Sequence, residues 1–526
     1  GSVLAATFSV SNFYFLLHTG YFAAPAYYLP LLHTWSLAIE EQFYIFLPLF
    51  ILLLHRLVPR LLPLLLLAAT ILSFALCLQK TGVDQAAAFY LPWTRAWELL
   101  LGTLVALGLF AQPRTPLWRN VATLAGLALI LGPAVAYNAA TVFPGINALA
   151  PCLGAALIIA AGRTGDSLVA WLLSWRPLVF IGRISYSLYL WHWPVIVFMI
   201  MSGLTPSTHQ PSWLKFLAVV ISVILATLSW RYVETPFRSG PRRPSRRRLF
   251  TLASAAAAAL AVLGLTGTLS KGLPGRFPAH SAAIAGYLDY DWASKGYFRL
   301  GSCFLDTGLA FQPFLAGGCI HEDGMRPSDL ILGDSHAAHL WYGLSQVFPG
   351  INFLQATSPL CKPVLAQPPW AAPVCQRVMK YVFEDFLLHH KIKRLILAGA
   401  WSLYDIEPLA ATLDWARAHG IKALLVGPIV VYDDMLPRLL VLSIRDSDPG
   451  LVDRHRADLA ALDEAMRQLA AKKGADYISL VQAICGQGSC ATLAAPDIPL
   501  QFDIAHLTPE GSIWLARRLA EMKALP

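Results

Sequence analysis

A serine directly after a short apolar run is the first residue in this chain that could do chemistry. Residues 330–332 have the character of a buried strand and are followed by Gly333, Asp334 and Ser335. Gly333 permits a tight backbone turn, so the Ser335 hydroxyl can lie at the edge of a sheet, where ligands of open α/β folds bind. A serine hydroxyl becomes a nucleophile only when a base takes its proton. The sequence therefore predicts a base elsewhere in the chain.

The best candidate for that base is His506, near the C-terminus. Asp503 lies three residues before it, a spacing that lets the carboxylate accept a hydrogen bond from one imidazole nitrogen while the other faces Ser335. The alternative for this segment is an ordinary helix start, with Thr508 as the cap and Pro509 in the first turn. A Gly-Asp turn after a strand is also common by itself. The two motifs together, at opposite ends of one α/β domain, favour a Ser-His-Asp triad.

These motifs resemble those of the SGNH hydrolase-like domains, in which this serine, aspartate and histidine form the catalytic triad. The resemblance covers about the last 250 residues. Free-standing members also carry a Gly-x-Asn-Asp motif whose asparagine contributes to the oxyanion hole, and this motif is missing from the sequence. Trp401 and Ser402 stand at the corresponding strand end. The resemblance implies that the Ser335 amide donates to the oxyanion, with Gly333 and Asp334 beside it, and leaves the second donor unassigned.

The C-terminal half alternates strand-like and helix-like segments, which predicts a three-layer α/β domain around a flavodoxin-like parallel sheet. The predicted strands are residues 329–333, 351–356, 394–399, 422–427 and 476–480. The predicted helices include residues 378–389, 408–419 and 454–473. Residues 271–300 mix glycine, proline and aromatic residues and are expected to form a linker that wraps this domain.

The composition excludes an ordinary soluble protein of this size. Of the 526 residues, 56% are hydrophobic and 13% are charged, and the mean hydropathy is +0.55. Residues 1–237 hold only six of the 31 acidic residues, so the composition changes near Phe237. We therefore predict an integral membrane protein with a soluble part.

Nine apolar segments are long enough to be candidate membrane spans. They are residues 1–17, 35–55, 62–79, 95–110, 119–137, 147–162, 180–202, 213–232 and 249–269. Basic residues fall in alternate loops and indicate their cytoplasmic side. They are His55, Arg56, Arg60, Arg114, Arg119, Arg163 and Arg176, followed by a cluster of Arg238, Arg242, Arg243, Arg246, Arg247 and Arg248.

That arginine cluster could be a nucleic-acid patch, but its place between two spans favours a positive-inside signal. No nucleic-acid partner is therefore predicted. The last span would carry everything after Lys271 to the outside, which predicts a multi-pass membrane protein with an extracytoplasmic C-terminal domain. No cleavable signal peptide is evident, so the spans themselves are expected to target the chain.

The cysteines test this topology independently. Cys77 and Cys152 lie in the membrane half, whereas the predicted outer domain has an even number in three local pairs. An oxidising compartment is the simplest explanation, and the Cys-x-x-Cys spacing of a metal site is missing, so no metal is predicted. The pairs expected from proximity are Cys303 with Cys319, Cys361 with Cys375, and Cys485 with Cys490.

Several polar residues of the membrane half would be costly in lipid, which makes each of them a candidate for function. The alternatives are structural ion pairs and interfacial aromatic belts. The residues singled out are Glu40, Glu41, Arg95, Glu98, Arg183 and His192.

The strings around these residues, at 32–44, 94–100, 181–194 and 232–238, together resemble the membrane acyltransferase-3 family. Its members move acyl groups onto extracytoplasmic sugars, and a fused form carries an SGNH domain after an extra span. The match begins inside what resembles the family's third span. The family's first two transmembrane helices, with a histidine proposed as catalytic and an arginine before it, are therefore expected to be missing, and His33 belongs to a different motif.

The resemblance implies three regions: a truncated acyltransferase-3 domain at 1–237, a basic loop with an extra span at 238–275, and an SGNH-like domain at 276–526. It implies an enzyme, an O-acyltransferase without a bound cofactor. An acyl group, expected to be acetyl, would pass from cytoplasmic acyl-CoA along the membrane residues to Ser335. The chain would lie in the bacterial inner membrane with its C-terminal domain in the periplasm. There the acyl group would reach an envelope glycan such as lipopolysaccharide O-antigen, or a lipid-linked oligosaccharide. The alternatives are a periplasmic acyl-sugar esterase and a non-catalytic envelope scaffold.

Overall fold

The chain folds into two compact units, the first ending at Leu273 and the second beginning at Pro274. The structure is a computed structural model. It describes residues 1–18, 26–110, 113, 115–138, 141–163, 167–202, 212–239, 244–289, 296–305, 311–316, 318–368, 371–486 and 488–525. The basic residues Arg114, Arg242 and Arg243, which contribute to the predicted topology, lie outside these ranges.

The described part of the first unit is helical. Its helices are α1 (Ser2–Thr7), α2 (Ser11–Leu17), α3 (Thr34–Leu57), α4 (Leu62–Thr81), α5 (Gln85–Tyr90), α6 (Pro92–Ala106), α7 (Pro116–Ala136), α8 (Leu149–Gly162), α9 (Leu168–Leu173), α10 (Arg176–Met201), α11 (Ser212–Ser229), α12 (Thr235–Ser239) and α13 (Arg246–Leu269).

Seven helical segments among these are long and apolar enough to cross a membrane. They are Thr34–Leu57, Pro59–Thr81, Pro116–Ala136, Gly145–Gly162, Arg176–Met201, Ser212–Arg238 and Arg246–Leu269. Large apolar side chains stand exposed on them, for example Phe46 at 68%, Val135 at 87% and Phe250 at 71%. Water would disfavour so much exposed apolar surface, whereas lipid accepts it. The chain is therefore a membrane protein, as its composition predicts.

Two of the nine predicted spans are wrong as single membrane-crossing helices. Residues 1–17 form α1 and α2, which are separated where Ser9 has a φ of +52°. A serine in the left-handed region interrupts a right-handed helix. The segment at 95–110 lies in α6, which has 15 residues. A helix of that length rises about 22 Å, short of a hydrocarbon core of about 30 Å.

The second unit is built around a five-stranded parallel sheet, as the sequence predicts. Its strands are β1 (Ser328–Gly333), β2 (Asn352–Thr357), β3 (Arg394–Ala398), β4 (Ala423–Val426) and β5 (Asp476–Ile478), in the spatial order β2-β1-β3-β4-β5. This is the flavodoxin-like order, in which ligands bind where the strand order reverses, beside β1 and β3. A short antiparallel pair, β6 (Leu493–Ala495) and β7 (Ile498–Pro499), lies outside this sheet.

Helices cover both faces of the sheet. They are α14 (Ala279–Ala285), α15 (Gln312–Ala316), α16 (Ser335–Val347), α17 (Pro373–Tyr381), α18 (Leu387–His389), α19 (Ile406–Ala418), α20 (Leu436–Asp446), α21 (Leu451–Arg454), α22 (Ala460–Lys473), α23 (Leu480–Cys485) and α24 (Pro509–Glu521). The predicted helix at 378–389 begins earlier, at Pro373, and the one at 454–473 is divided between α21 and α22. Within the predicted linker, residues 279–285 are helical.

Alternating strand residues supply the two cores. Ile331 and Ile396 face a core shared with α16, α20 and α24, whereas Leu330, Leu332 and Leu395 face one shared with α17, α19 and α22. Successive side chains of a strand point to opposite faces, so a central strand buried on both sides is apolar throughout. The result is three layers, in which β1 is an interior strand between β2 and β3.

Three disulfide bonds stabilise the second unit. The structure joins Cys303 to Cys319, Cys361 to Cys375, and Cys485 to Cys490. These are the pairs expected from proximity. Cys77 and Cys152 of the first unit are reduced.

Candidate active site

The turn between β1 and α16 positions Ser335. Gly333 ends β1 directly opposite Thr357 of β2 and Ala398 of β3. Asp334 caps α16, because its Oδ1 accepts a hydrogen bond from the His336 amide at 2.9 Å. A capping carboxylate satisfies an amide that the first helical turn leaves without a partner. Ser335 is thus the first residue of the helix, held at the end of a central strand.

The loop before α24 carries the other two residues of the predicted triad. The Phe502 amide donates to the His506 carbonyl oxygen at 2.9 Å, which closes the loop. Thr508 caps α24 through its Oγ1, which accepts from the Gly511 amide at 2.9 Å, and Pro509 occupies the first turn. The helix start considered as an alternative is therefore real, and it coexists with the acid–histidine pair.

The structure brings Ser335, His506 and Asp503 together in a continuous hydrogen-bonded chain. The Ser335 Oγ and His506 Nε2 atoms are 2.7 Å apart, and His506 Nδ1 lies 2.6 Å from Asp503 Oδ2. Asp503 accepts through Oδ2, so His506 carries its proton on Nδ1 and presents the lone pair of Nε2 to the serine. This is the arrangement in which an imidazole can take the proton of a serine hydroxyl.

Asp503 remains an anion in this setting. Burial would raise the pKa of its carboxyl group, but attraction to His506 and hydrogen bonds to it hold the pKa below its ordinary value. The backbone amides of Ala505 and His506 donate to Oδ1 at 2.9 and 2.7 Å. Hydrogen bonds to the charged form of a carboxyl group favour that form. The carboxylate can therefore fix the tautomer of His506 and stabilise it once it is protonated.

A lysine that the sequence did not indicate lies near Asp334, the residue before the nucleophile. Lys362 Nζ is 3.9 Å from Asp334 Oδ2 and 3.5 Å from Asp405 Oδ2, and it donates to the Ala400 carbonyl oxygen. The Ala400 amide in turn donates to Asp334 Oδ2 at 2.8 Å. These contacts fasten the Ser335 turn to the end of β3. Lys362 follows a cysteine in a loop, and no local sequence pattern would have indicated it.

The residues expected on the oxyanion side are engaged elsewhere. Trp401 Nε1 donates to the Val426 carbonyl oxygen at 2.7 Å. The amide and hydroxyl of Ser402 both donate to Asp405 Oδ2, at 2.7 and 2.9 Å. Neither side chain therefore presents its polar group to the nucleophile, and Ser402 instead begins the helical turn that leads into α19.

Two further histidines of α16 surround the triad. The His336 ring centroid is 5.2 Å from that of His506 and 5.4 Å from that of His339, and the His339 and His506 centroids are 6.0 Å apart. Burial and the neighbouring imidazoles lower the pKa of His339 well below its ordinary value. Burial is also the main cause that lowers the pKa of His336 to about 4, against a smaller opposite effect of Asp334. Both rings are therefore neutral at pH 7.

His336 makes the second unit sensitive to acid. Its pKa is about 4 in the folded protein, against an ordinary value of 6.5. Between these pH values the unfolded chain binds more protons than the folded chain, so the free energy of unfolding falls as the pH drops through this range. We expect His336 to account for a loss of about 3 kcal/mol from pH 6.5 to pH 4. Thermal unfolding measured across this range should show a shallower pH dependence for His336→Asn than for the wild type. Equal pH dependence in both proteins would contradict the prediction.

The polar residues selected in the first unit form two separate groups. Arg95 Nη1 lies 3.1 Å from Glu98 Oε1, and the Arg95 guanidinium carbon lies 5.4 Å from the ring centroid of Trp35. In the other group, the His192 ring centroid is 5.7 Å from that of His33, and His192 Nδ1 donates to the Tyr189 carbonyl oxygen at 2.8 Å.

The remaining selected residues of this unit differ in their exposure. Glu40 is half-buried, and Glu41 and Arg183 are exposed. Tyr189, which the sequence analysis did not select, belongs to the second group. Its hydroxyl lies 2.5 Å from Ser36 Oγ and donates to the His33 carbonyl oxygen at 2.7 Å.

Comparison with known protein families assigns both parts of the chain. Residues 2–231 match an acyltransferase domain, and residues 302–521 match the SGNH domain that is fused to such acyltransferase (AT3) domains. The chain belongs to this fused acyltransferase–SGNH family. The SGNH match contains Ser335, Asp503 and His506.

Individual relatives of this fused acyltransferase–SGNH protein are similar over less than half of its length. An O-acetyltransferase, OatA of Staphylococcus aureus, is 34% identical over 258 residues, which are 45% of this chain and 40% of the relative. A peptidoglycan O-acetyltransferase, OatA of Listeria monocytogenes, is 32% identical over 252 residues, with the same two shares of 45% and 40%. The chain thus spans about two fifths of the length of the relatives that it matches.

A solved structure, the periplasmic domain of a lipopolysaccharide acetyltransferase from Salmonella ser. Paratyphi A, is also similar. It matches 46% of this chain and 96% of its own length, at 18% sequence identity and a TM-score of 0.39. A likeness of this size carries no argument about function.

Proposed function

We propose that this chain is the acyl-transferring part of an O-acyltransferase that modifies a glycan of the bacterial envelope. The observation that carries the proposal is the contact of Ser335 Oγ with His506 Nε2 at 2.7 Å, with Asp503 2.6 Å behind the histidine. That geometry supplies a nucleophile, a base and a group that orients the base. The family supports an acyl group as the one transferred.

In the first half-reaction, Ser335 Oγ attacks the carbonyl carbon of the donor and passes its proton to His506 Nε2. The electron pair of the carbonyl bond moves to oxygen and returns as the tetrahedral intermediate collapses. The bond to the donor's leaving atom then breaks, and His506 returns the proton to that atom. The products are an acyl ester of Ser335 and the free donor group.

In the second half-reaction, a sugar hydroxyl takes the place of the leaving group. His506 Nε2 accepts its proton as the oxygen attacks the acyl carbon, and the same nitrogen protonates Ser335 Oγ when the ester bond breaks. Asp503 stabilises the imidazolium in both halves. Transfer prevails over hydrolysis when the sugar is held at the acyl-enzyme in place of water.

We propose that the membrane unit delivers the acyl group to the outside. Acyl-CoA, as acetyl-CoA, would bind on the cytoplasmic side indicated by the basic loops, and Arg95, Glu98 and His192 would line the path, together with Glu40, Glu41 and Arg183. The three disulfides favour an oxidising compartment for the second unit, and we place it in the periplasm, with the spans in the inner membrane.

For the acceptor we propose a sugar hydroxyl of lipopolysaccharide O-antigen or of its lipid-linked precursor. Two relatives are named O-acetyltransferases, one of them for peptidoglycan. Lipopolysaccharide and peptidoglycan both lie outside the cytoplasmic membrane, so either acceptor is compatible with a chain that delivers acyl groups to the outside. The two polymers can be purified separately, so the acetate on each can be measured.

The test compares cells that lack the gene with cells that carry the complete gene. Ester-linked acetate is released by mild alkali from purified lipopolysaccharide and from purified peptidoglycan, and each is quantified. We expect the gene to add acetate to the lipopolysaccharide fraction. Acetate gained only on peptidoglycan would refute the proposed acceptor, and less acetate with the gene than without it would indicate an esterase. No change in either fraction would refute the acyltransferase function itself.

A further inference from the structure

Residues 296–305 form a segment that lies at the carboxyl end of β2. The Thr357 amide and hydroxyl both donate to the Cys303 carbonyl oxygen, at 3.1 and 2.9 Å. Thr357 ends β2 directly opposite Gly333, the residue at which β1 turns toward the nucleophile. The disulfide bond from Cys303 to Cys319 joins the same segment to the rest of the unit. The segment is therefore fixed beside the catalytic turn.

The side chain of Tyr297, in this segment, contacts the loop that carries the catalytic histidine. Its hydroxyl donates to the Leu507 carbonyl oxygen at 3.1 Å, and the bond is buried. Leu507 directly follows His506, and Tyr297 is only 2% exposed. Removing a buried donor leaves its acceptor short of a partner, which is costly. The hydrogen bond therefore restrains the backbone next to His506.

The next residue, Phe298, packs against the histidine itself. The Phe298 ring centroid lies 6.3 Å from that of His506, with the ring planes at 60°. Phe298 is buried, and its carbonyl oxygen accepts a hydrogen bond from Gln355 Nε2 at 3.0 Å, which fixes this position of the segment to β2. The Phe298 ring therefore limits how far the imidazole can turn away from Ser335 Oγ.

The same segment also contacts the helix that begins with the nucleophile. The Arg299 guanidinium carbon lies 4.7 Å from the ring centroid of Trp341, and the Tyr297 ring centroid is 5.8 Å from that of Tyr342. Trp341 and Tyr342 belong to α16, whose first residue is the nucleophile. A cation over an aromatic ring and an edge-to-face ring pair are both attractive. Three consecutive residues therefore connect the nucleophile's helix with the histidine's loop.

The serine chemistry depends on that connection because it is sensitive to small displacements. The Ser335 Oγ and His506 Nε2 atoms are 2.7 Å apart although their residues are 171 positions apart in the chain. Tertiary contacts must therefore hold this distance. A displacement of about 1 Å between reacting groups can cost about 10²-fold in rate. A segment that contacts both the helix and the loop can prevent it.

We propose that Tyr297 and Phe298 are positioning residues of the triad, which hold the His506 imidazole against Ser335 Oγ in both half-reactions. Tyr297 acts through the backbone of the loop, and Phe298 acts through the imidazole ring. Neither residue touches the acyl group or exchanges a proton. Both precede residues 302–521, which match the SGNH domain, so the site is completed by a segment outside that match. This inference rests on the proposed function.

The test measures kcat and KM with the whole chain in detergent and p-nitrophenyl acetate, which acylates serine enzymes without acyl-CoA. Each kcat is expressed per active site titrated with a fluorophosphonate, so that unfolded molecules do not count. We expect Tyr297→Phe, which removes only the hydroxyl, to lower kcat by about 3- to 10-fold. Phe298→Leu, which leaves space beside His506, should lower kcat by about 10-fold or more. KM should change little in both variants, because His506 serves both half-reactions.

Tyr477→Phe is the matched control for the loss of a tyrosine hydrogen bond. The Tyr477 hydroxyl donates to Asp463 Oδ1 at 2.7 Å, and Tyr477 lies on β5, the edge strand farthest from β1 on that side of the sheet. Its replacement can lower the unfolding temperature but should leave kcat per titrated site within about twofold.

A purely structural role for Tyr297 and Phe298 would lower the unfolding temperature and leave kcat per titrated site unchanged. A loss of kcat below about threefold in either variant, or a loss confined to KM, would therefore overturn the inference. A loss in Tyr477→Phe as large as that in Tyr297→Phe would overturn it as well. A wild-type chain that neither cleaves the ester nor becomes labelled would instead contradict the serine chemistry of the proposed function.

Discussion

Replacing Ser335 with alanine is expected to lower ester cleavage by about 10⁴- to 10⁶-fold and to abolish fluorophosphonate labelling. Without Oγ no covalent acyl intermediate can form at this position, and only binding and the oxyanion donors remain to favour attack by water. The measurement is kcat for p-nitrophenyl acetate with the whole chain in detergent. Ser345→Ala is the matched control, because Ser345 lies on the same helix and its hydroxyl donates only to the nearby Tyr342 carbonyl oxygen. Comparable activity in both variants would refute the assigned nucleophile.

Asp503→Asn tests the same site more finely. An asparagine that donates to His506 Nδ1 leaves the proton on Nε2, which can then no longer accept from Ser335, and a loss of about 10⁴-fold in kcat is expected. The second unit offers a control pair of the same chemistry, since His455 Nδ1 lies 2.6 Å from Asp433 Oδ1. Asp433→Asn should leave kcat within about twofold. Similar losses in both variants would show that the effect comes from the fold and not from the tautomer.

Gly333→Ala is expected to prevent the second unit from folding, or to destabilise it by more than about 4 kcal/mol. The φ of Gly333 is +151°, and a Cβ at this position would lie 1.8 Å from the Ala398 carbonyl oxygen. Because that oxygen belongs to β3, which pairs with β1, the backbone cannot yield without loss of sheet register. The yield of folded protein and its unfolding temperature measure the effect.

Gly350→Ala provides the comparison for that variant. Gly350 is exposed, and no atom lies within 4 Å of a Cβ built there. Its replacement should change the unfolding free energy by less than about 1 kcal/mol. If Gly333→Ala were as stable as Gly350→Ala, the close approach of β1 and β3 at the nucleophile would be wrong.

Much of the second unit could be predicted because its signals are local in the chain. All five strands overlap the short segments predicted for them, and the sequence pattern that indicates a strand spans only a few residues. The triad of Ser335, Asp503 and His506 could be predicted for a similar reason, since each motif lies at a strand end or a helix start that has its own sequence pattern. Hydropathy likewise located seven membrane-crossing segments, since a span is a contiguous run.

The sequence was least informative where specific hydrogen bonds decide the local conformation. Local hydropathy could not show that the helix breaks at Ser9, whose carbonyl oxygen accepts a hydrogen bond from Gln42 Nε2 of α3 at 2.8 Å. Trp401 and Ser402 stand at the position expected for an oxyanion donor, yet Val426 and Asp405 hold their polar groups. A side chain's position along a strand indicates which end of the sheet it reaches, but not which acceptor it meets there.

By itself the sequence determined that the chain spans a membrane, that its C-terminal half is a parallel α/β unit with an even set of cysteines, and which serine, histidine and aspartate could act together. These follow from composition, periodicity and residue type, which are properties of short segments. Only the tertiary structure decided that Lys362 holds the nucleophile turn, that His336 and His339 lie beside His506, and that one His336 nitrogen is buried without a hydrogen-bond partner among the described residues. Those contacts join residues far apart in the chain, and their energies depend on distance and burial, which the order of residues does not contain.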